Sequence, residues 1–444
     1  MSRPARQPRL VAHLERRRQR QHNAVMSEEN LPNVSHLDGH SLVPSGRPEW
    51  IQDAAALEEI LAHLRATGVF AFDTEFISEL SYWPRLCLIQ VATPERIALI
   101  DPLGELDVTP FWELVADPGV LKLVHAGQQD LEPVMRLLGK RPARIFDTQI
   151  AAGLIGLPWP LALNKLVAEM LGADISKGPA FTDWSCRPLD EVQVFYAAND
   201  VRFLPAMHAL MQAKLDALGR STWLESECET LCREDLHRTS DDDITLKVRG
   251  AGNLKPSLYI AVKHLALLRE GIAREANLPP RSVIRDETLL DLARRPVYTV
   301  AELQQSPVLP RSLARELGEQ LVQALVAGRD DRTSRKPANN RLEEKARERQ
   351  EVDNLLALAQ CFCLGQQVSP ALCYSRQDML AYSRDLGSRK TGEDGADSSL
   401  LKGWRAEFIG HPLREFLAGR TRCEISWNKH GLVLAVRDSK AETH

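Results

Sequence analysis

Three short patterns of acidic residues along the chain could together hold divalent cations. Asp73 and Glu75 lie two residues apart at the end of an apolar run, so in a strand both side chains point to one face. Tyr196 and Asp200 lie four residues apart, which places them on one face of a helix. Asp130 lies between the two pairs and opens a predicted helix. Buried carboxylates are costly unless cations neutralise them, and oxygen ligands of this kind suit Mg²⁺ or Mn²⁺.

Each pattern taken alone also has an ordinary structural explanation. The first pair of acids could be solvated at an exposed strand end, although Phe70, Phe72 and Phe76 around it argue against full exposure. Asp130 would be stabilised near a helix N-terminus whatever its role. A tyrosine at the position of Tyr196 is usually part of the core. The case for chemistry therefore depends on all three patterns occurring together.

The strands and helices that must position these residues follow from the hydrophobic periodicity. Short apolar runs predict five strands, at residues 68–73, 86–91, 97–100, 120–125 and 144–147. Amphipathic patterns predict helices at residues 127–138, 148–154, 161–171 and 189–217. The turn at residues 94–96 predicts that the first three strands form an antiparallel meander. Strands followed by strand–helix alternation predict a mixed sheet with helices on its faces.

The sequence changes character after residue 222, where the strand signals stop. Residues 246–328 predict a compact all-helical domain. Its helices are predicted at residues 258–276, 286–294, 300–305 and 311–326. Residues 246–336 contain 16 Lys and Arg against 10 Asp and Glu. This local excess of positive charge favours sequence-independent binding to an RNA backbone, with a solubilising surface as the alternative.

The two ends of the chain differ in composition. Residues 1–48 are rich in arginine and lack periodicity, which predicts a disordered basic arm. Sequence upstream of a start at Met26 and an organelle transit peptide are the alternatives. Residues 351–420 predict a last helical region, interrupted by a flexible polar loop at 388–399. Residues 424–436 predict a terminal β-hairpin.

The overall composition indicates an ordinary globular protein. Of the 444 residues 44% are hydrophobic and 26% are charged, and the net charge of −4 means that nucleic-acid binding requires local basic patches. The eight Cys include no CxxC pair, which argues against a zinc ribbon and suits free thiols in a reducing cytosol. No run approaches the roughly 18 apolar residues that span a bilayer, so we expect a cytoplasmic protein without membrane association.

The order and spacing of the motifs resemble those of the DEDD exonucleases. The matching motifs are Phe72-Asp73-Thr74-Glu75-Phe76, then His125 with Asp130-Leu131, then Tyr196 with Asp200-Val201. Tyr196 indicates the tyrosine branch, because the histidine branch has a His where this chain has Phe195. Further segments resemble ribonuclease D in particular, at residues 73–77, 82–91, 146–148 and 183–189. Residues 255–289 resemble the helical HRDC module of that family, and residues 401–410 resemble a diverged second one.

This resemblance implies a ribonuclease H-like α/β fold, a mixed sheet with flanking helices followed by all-helical HRDC-type domains. The expected domains are a basic arm at 1–48, a DEDDy exonuclease domain at 49–220, an HRDC domain at 246–328 and a diverged HRDC-like region at 351–436. The implied activity is that of a 3′→5′ exoribonuclease that releases 5′-mononucleotides. The implied substrates are single-stranded 3′ ends of RNA, with tRNA precursors as the family's usual substrate. We expect the protein to act as a monomer.

In this interpretation two divalent ions, Mg²⁺ or Mn²⁺, lie among the four carboxylates. Asp73 bridges both ions, while Glu75 and Asp200 complete the ion that activates water. Asp130 holds the second ion, mainly through water. Tyr196 orients the attacking water, because an ordinary tyrosine pKa near 10 makes it a poor base. The resemblance also implies that Glu75 bonds to the terminal 3′-hydroxyl.

The predicted substrate contacts are less specific. They are Thr74, Phe76, Tyr82, Arg85, His125, Lys165 and Arg187. Tyr82 and Trp83 could stack on a base while Arg85 contacts phosphate, or the three could pack within a loop. Lys165, Lys177 and Arg187 could bind phosphate or be solvated, and His125 could be a core residue.

Two other functions fit the same sequence. A DNA-directed 3′→5′ exonuclease would use the same metal site, and no motif here reports contact with a 2′-hydroxyl. A catalytically silent RNA-binding scaffold would keep the fold, but the intact acids and Tyr196 argue against it. The chain departs from the ribonuclease D pattern at Cys186, where a basic residue is usual, and at Asn199, where an acid is frequent. These departures concern substrate contacts and leave the four acids unaffected.

Overall fold

The computed structural model of the protein describes residues 40–78, 80–175, 182–234, 239–337, 344–388, 398–429 and 431–438. Most of the predicted basic arm, Lys177 and most of the predicted loop at 388–399 lie outside these residues.

In the described part of the chain six strands form one mixed sheet. They are β1 (Glu49–Ile51), β2 (Val69–Ile77), β3 (Arg85–Ala92), β4 (Ile97–Ile100), β5 (Leu121–Val124) and β6 (Ile145–Asp147). Their order across the sheet is β1-β4-β3-β2-β5-β6. The antiparallel pairing of β2, β3 and β4 confirms the predicted meander. Strands β1, β5 and β6 pair parallel with their neighbours, and β1 was not predicted because three residues show no periodicity.

The helices described around the sheet cover both of its faces. They are α1 (Ala54–Thr67), α2 (Thr109–Ala116), α3 (Gln128–Leu138), α4 (Thr148–Leu154), α5 (Leu163–Leu171), α6 (Glu191–Arg202), α7 (Leu204–Ala217) and α8 (Ser221–Leu231). Because helices shield both faces, the central strands are nearly continuous apolar runs. The ring of Phe72 on β2, for example, packs edge-on against Phe111 of α2 at 5.7 Å.

The single helix predicted at residues 189–217 is wrong in one respect, because it is interrupted at Phe203. Pro205 lies in the first turn of α7. There its missing N–H costs nothing, whereas inside a continuous helix it would remove a hydrogen bond and clash with the preceding turn. The interruption separates α6, which carries Tyr196 and Asp200, from α7.

A second, all-helical body with its own apolar core follows the sheet domain. Its helices are α9 (Asp241–Leu246), α10 (Pro256–Glu275), α11 (Pro280–Val283), α12 (Asp286–Arg294), α13 (Val300–Gln305), α14 (Arg311–Glu316) and α15 (Gly318–Asp330). Its core residues run from Ile244 to Leu325. The buried ion pair of Arg269 with Asp286, at 2.7 Å, joins α10 to the start of α12. The helix predicted at 311–326 is divided before Gly318, where glycine disfavours a continuous helix.

The C-terminal helices pack against the sheet domain and share its core. They are α16 (Ala346–Gly365), α17 (Pro370–Cys373), α18 (Arg376–Ser388), α19 (Gly403–Arg405) and α20 (His411–Leu417). The ring of Trp404 stacks on Trp223 of α8 with centroids 4.9 Å apart. Strands β7 (Thr421–Asn428) and β8 (Gly431–Asp438) then form the antiparallel hairpin that the sequence predicted.

None of the described helices is both long enough and apolar enough to cross a membrane. Helix α10 has 20 residues, but Lys263, Arg269 and Glu270 lie within it.

Candidate active site

The C-terminal half of β2 presents two acidic side chains on one face of the sheet. Asp73 and Glu75 flank Thr74 on this strand, and alternation along a strand places the two acids on the same side. In the β2–β3 register Asp73 lies opposite Gln90. A bulge follows between Glu75 and Phe76, and such an irregularity re-aims the side chains next to it.

Helix α6 brings Tyr196 and Asp200 to the same acids by packing across β2, β3 and β4. The helix begins at a capping box, in which Asp190 and Gln193 satisfy each other's backbone N–H groups. The Tyr196 O–H donates to the Asp200 carboxylate. The ring of Trp184 packs beside Tyr196, with centroids 6.2 Å apart.

Asp130 lies in the first turn of α3 and is almost fully buried. The hydroxyl of Thr74 donates to its carboxylate. The turn leading into α3 needs Gly127, since an added Cβ would lie 2.6 Å from the Cβ of Val124. The structure therefore places the third predicted acid beside β2, close to the first pair.

Asp147, for which no role was predicted from the sequence, supports this arrangement. Its carboxylate accepts from the backbone N–H of Gly127 at 3.1 Å and of Gln149 at 2.8 Å. It therefore caps α4 and also fixes the turn that carries Asp130. An acid directly before a predicted helix is a cap signal. Its link to a turn 20 residues upstream is visible only in the fold.

Burial and neighbouring carboxylates raise the pKa values of the four acids. The pKa of Asp73 lies well above its usual range, first because of burial and then because the other three carboxylates are close. Burial and the nearby Asp130 raise the pKa of Glu75 to about 8. The pKa values of Asp130 and Asp200 are also raised, in each case chiefly by burial. A bound cation would favour the ionised form of these carboxyl groups, because an opposite charge nearby lowers their pKa values.

Tyr196 is held as a neutral phenol. Burial raises its pKa well above the usual range, and the charges of Asp200, Glu75 and Asp73 raise it further. At neutral pH it therefore keeps its proton and donates a hydrogen bond. A phenol in this state can orient a water molecule but cannot act as a general base.

The donor set fits Mg²⁺ or Mn²⁺, although the side chains are not yet arranged as ligands. Among the described residues none of the four carboxylates forms an ion pair with a basic side chain, and no basic side chain is among the main causes of their pKa shifts. Among the same residues no three acidic, His or Cys side chains are already gathered at ligand spacing. In the structure the Asp130 carboxylate accepts from Thr74, and that of Asp200 interacts with Tyr196. Rotation of these two side chains would free oxygen ligands of the kind that hard cations prefer.

A cleft of about 990 Å³ leads from these acids towards the helical domain. Its inner wall includes Glu75 and Phe76 of the sheet domain. Its outer wall includes Lys247 and Arg281 of the helical domain. A single nucleic-acid chain lying in the cleft would have the cations of the outer wall near its phosphates and the carboxylates near its end.

Tyr82 and Trp83, predicted either to stack on a base or to pack within a loop, contact the helical domain in the structure. The Tyr82 O–H donates to Glu270 Oε1 at 2.6 Å, and the backbone N–H of Trp83 donates to Asn277 Oδ1 at 3.1 Å. The Arg274 guanidinium lies 5.6 Å from the centroid of Tyr82 and 6.0 Å from that of Trp83. We call these five residues the interdomain clasp. Three of them line the cleft, so the clasp borders the candidate substrate path.

Arg187, a predicted phosphate contact, donates all five of its N–H groups to protein acceptors in the structure. Two of them donate to the Asp101 carboxylate at 2.7 and 2.8 Å. The other three donate to the backbone carbonyls of Cys87, Trp184 and Cys186. Arg187 therefore ties the segment that carries Trp184 to the sheet and has no donor left for a phosphate.

His125, also a predicted substrate contact, is anchored in the interior. Its Nδ1 lies 3.0 Å from the hydroxyl of Thr148, which itself donates to the carbonyl of Val124. The Thr148 oxygen therefore accepts from Nδ1–H. Burial lowers the pKa of His125, so the ring is neutral near pH 7.

The remaining predicted contacts lie in different places. Phe76 and Thr74 line the cleft, although the Thr74 hydroxyl is used by Asp130. Arg85 and Lys165 are exposed at the surface, outside the residues that line this cleft. Their contacts with a substrate stay predictions.

Comparison with known proteins adds independent information. A family model described as 3′-5′ exonuclease matches residues 48–216, and an HRDC domain model matches residues 261–325. The chain is 34% identical over 377 residues to the ribonuclease D of Sphingobium indicum, which covers 83% of this chain and 94% of that protein. It is 31% identical over 384 residues to the ribonuclease D of Bartonella henselae, which covers 85% and 92%.

Solved structures point in the same direction. The structure of Escherichia coli RNase D, an exoribonuclease involved in structured RNA processing, has a TM-score of 0.68 at 28% identity and covers 84% of this chain and 99% of that one. The catalytic core of RRP6 from Trypanosoma brucei has a TM-score of 0.51 at 22% identity, covering 65% and 82%, which is a likeness of fold alone. The predicted mixed sheet with flanking helices, followed by helical domains, is thus confirmed.

Proposed function

This chain belongs to the ribonuclease D family, and from that premise we propose that it shortens structured RNAs from their 3′ ends, with tRNA precursors as substrates. It is a hydrolytic 3′→5′ exoribonuclease. We propose further that it releases 5′-mononucleotides, acts as a monomer and works in the cytoplasm. The catalytic residues are Asp73, Glu75, Asp130, Tyr196 and Asp200.

One observation carries the proposal. Four carboxylates from three separate elements converge in the interior without a basic partner among the described residues, and one of them, Glu75, lines an open cleft. Burying acids in this way destabilises a fold unless a cation compensates. The arrangement therefore supports a divalent-cation site at which a chain end can arrive.

Each carboxylate has a role in this proposal. Asp73, which the other three acids surround, would contact both ions. Glu75 and Asp200 would complete the ligands of one ion, and Asp130 would hold the other. Bound divalent ions would polarise the scissile phosphate and lower the pKa of an attacking water.

Two neighbouring hydroxyl groups hold acids of this site before a cation binds. Thr74 and Tyr196 donate to the carboxylates of Asp130 and Asp200 and so fix their positions in the metal-free protein. Tyr196, which keeps its proton, would orient the attacking water through its O–H group. Glu75, at the cleft wall, is the carboxylate best placed to accept a hydrogen bond from the terminal 3′-hydroxyl.

The choice of RNA rests on the relatives and on the cleft. The E. coli relative acts in structured RNA processing. The outer wall of the cleft carries Lys247 and also Arg281, whose exposed guanidinium pairs with Asp286 at 3.0 Å. These cations would bind a phosphate backbone without regard to sequence. A cleft formed by two domains admits a single strand more readily than a duplex, which suits the unpaired 3′ extension of a tRNA precursor.

Substrate class is tested with two oligomers of one sequence. A 3′-labelled tRNA precursor carrying a 3′ extension and the matching DNA are incubated with the full chain, with Mg²⁺ or with EDTA. We expect labelled 5′-mononucleotides from the RNA with Mg²⁺, and none with EDTA. Equal rates on DNA would overturn the RNA assignment, and the absence of mononucleotides from both would overturn the proposed enzyme function.

A further inference from the structure

Gln90 is a completely buried amide whose nitrogen and oxygen both lack a hydrogen-bond partner. Buried unpaired amides are rare because they lose their bonds to water without replacement. Every other residue of β3 from Cys87 to Ala92 is apolar and buried. A leucine or a methionine would fill this apolar position equally well. The presence of an amide here therefore requires an explanation other than packing.

The sheet places this amide next to the carboxylate site. Gln90 lies opposite Asp73 in the antiparallel register of β2 and β3. Directly paired side chains share a face, with Cβ atoms about 4.5–5.5 Å apart, so an amide on a long side chain can reach a paired carboxylate. On its other side Gln90 pairs with Leu99 of β4, which has no polar group to offer. Helix α6, with Asp200 and Tyr196, packs over the same strands.

We propose that Gln90 is a positioning residue of the carboxylate site, whose side-chain N–H donates to Asp73 when that carboxylate is ionised and ligates a divalent ion. This inference rests on the proposed metal-dependent function. Carboxylates that hold ions are commonly oriented by such outer hydrogen bonds, and their removal weakens metal binding. In the structure neither polar atom of this amide has a hydrogen-bond partner, so its side-chain N–H is available to Asp73.

Gln193 provides a matched comparison within the same domain. It is also a buried glutamine, but its side-chain oxygen accepts from the Asp190 N–H at 2.9 Å. A glutamine with a partner stabilises the metal-free fold, whereas one without a partner does not. The two residues should therefore respond differently to replacement by methionine, which has a similar length and no strong polar group.

The experiment compares Gln90→Met and Gln193→Met in the full chain. Thermal unfolding in EDTA should show a Tm for Gln90→Met equal to or above that of the wild type, and a lower Tm for Gln193→Met. Calorimetric titration with Mn²⁺ should show affinity about tenfold weaker for Gln90→Met than for the wild type. Raising the Mn²⁺ concentration should restore its nuclease activity, with the KM for RNA unchanged.

The outcomes distinguish a failure of the role proposed for Gln90 from a failure of the proposed metal-dependent function. A Gln90→Met protein that is less stable in EDTA, or that fails to fold, would show a structural role and overturn the inference. Wild-type Mn²⁺ affinity in Gln90→Met would overturn it as well while leaving the metal site intact. If the wild-type chain itself binds no Mn²⁺, the proposed function fails and this inference fails with it.

Discussion

Glu75 keeps its proton near neutral pH in the metal-free protein, because burial and Asp130 raise its pKa to about 8. In the unfolded chain the same group has the ordinary value of 4.5. Between these values the unfolded chain releases a proton that the folded protein retains. Metal-free stability should therefore fall as the pH rises from about 4.5 to about 8, and be unaffected by Glu75 below that window.

This pH dependence is measured on Glu75→Gln, which cannot ionise. In EDTA the Tm of the wild type should fall, relative to that of the variant, as pH rises through the window. Added Mn²⁺ should remove the difference at the alkaline end, because a bound cation favours the ionised carboxylate. Glu225→Gln, at an exposed position on α8, serves as the control and should follow the wild type. Parallel Tm curves for wild type and Glu75→Gln would contradict the raised pKa.

At the scale of single residues, the sequence predicted which site residues share one face of a strand or a helix. The i, i+2 pair of Asp73 with Glu75 and the i, i+4 pair of Tyr196 with Asp200 needed only strand and helix periodicity. The bond of Arg187 to Asp101 was not predicted, because the two residues are 86 positions apart in the sequence. No local pattern reports a partner at that separation.

Among the elements, the interdomain clasp is the contact closest to the cleft. Arg274 of α10 lies over the rings of Tyr82 and Trp83, and Arg136 of α3 lies 5.0 Å from the centroid of Trp83 on the sheet-domain side. A cation over an aromatic ring contributes about 0.5–1 kcal/mol at an exposed site. Arg274→Ala removes two such contacts and the bond from Arg274 to the Tyr82 oxygen.

We expect Arg274→Ala to loosen the outer wall of the cleft and to raise the KM for a long RNA up to about tenfold, the effect of some 1.4 kcal/mol. The kcat on a very short oligomer should not change, since the carboxylates are untouched. Steady-state kinetics on the two substrate lengths measure this. Arg294→Ala, which removes an exposed pair with Asp291, is the matched control. An equal loss of kcat/KM on the long RNA and on the short oligomer would indicate that Arg274 affects the chemical step and not binding in the cleft.

The sequence predicted the elements well where they are long and apolar, as in the meander of β2, β3 and β4. It missed β1, and it joined α6 to α7. Both errors have a physical cause, because a three-residue strand has no periodicity and a proline in a first helical turn leaves the apolar pattern uninterrupted. The position of the clasp was not predictable, since it depends on how two separately folded cores meet.

At the scale of the whole molecule, the C-terminal helices belong to the core of the sheet domain. Phe362 of α16 shares an apolar cluster with residues of the sheet. Buried Arg220 donates to the carbonyls of Leu154, at 2.6 Å, and of Gln367, at 2.7 Å, and so joins α4 to the turn after α16. The resemblance predicts that this region is a second, diverged HRDC-like module, and that classification stays a prediction.

The central claim, that the buried acids perform metal-dependent hydrolysis of RNA, belongs to the whole molecule because three elements and a cleft between two domains must combine. It is tested by replacing single acids with amides of the same shape. Asp73→Asn and Asp200→Asn remove one ligand charge each, and Asp216→Asn, at an exposed position on α7, is the control. Circular dichroism and Tm establish that all three variants are folded.

The deciding measurement is the rate at which each variant releases 5′-mononucleotides from 3′-labelled RNA with saturating Mg²⁺. We predict that Asp73→Asn and Asp200→Asn are each slower than the wild type by about a thousandfold, as expected when several kcal/mol of transition-state stabilisation is lost. Asp216→Asn should keep the wild-type rate. A folded Asp73→Asn or Asp200→Asn enzyme that cleaves RNA at close to the wild-type rate would contradict the account.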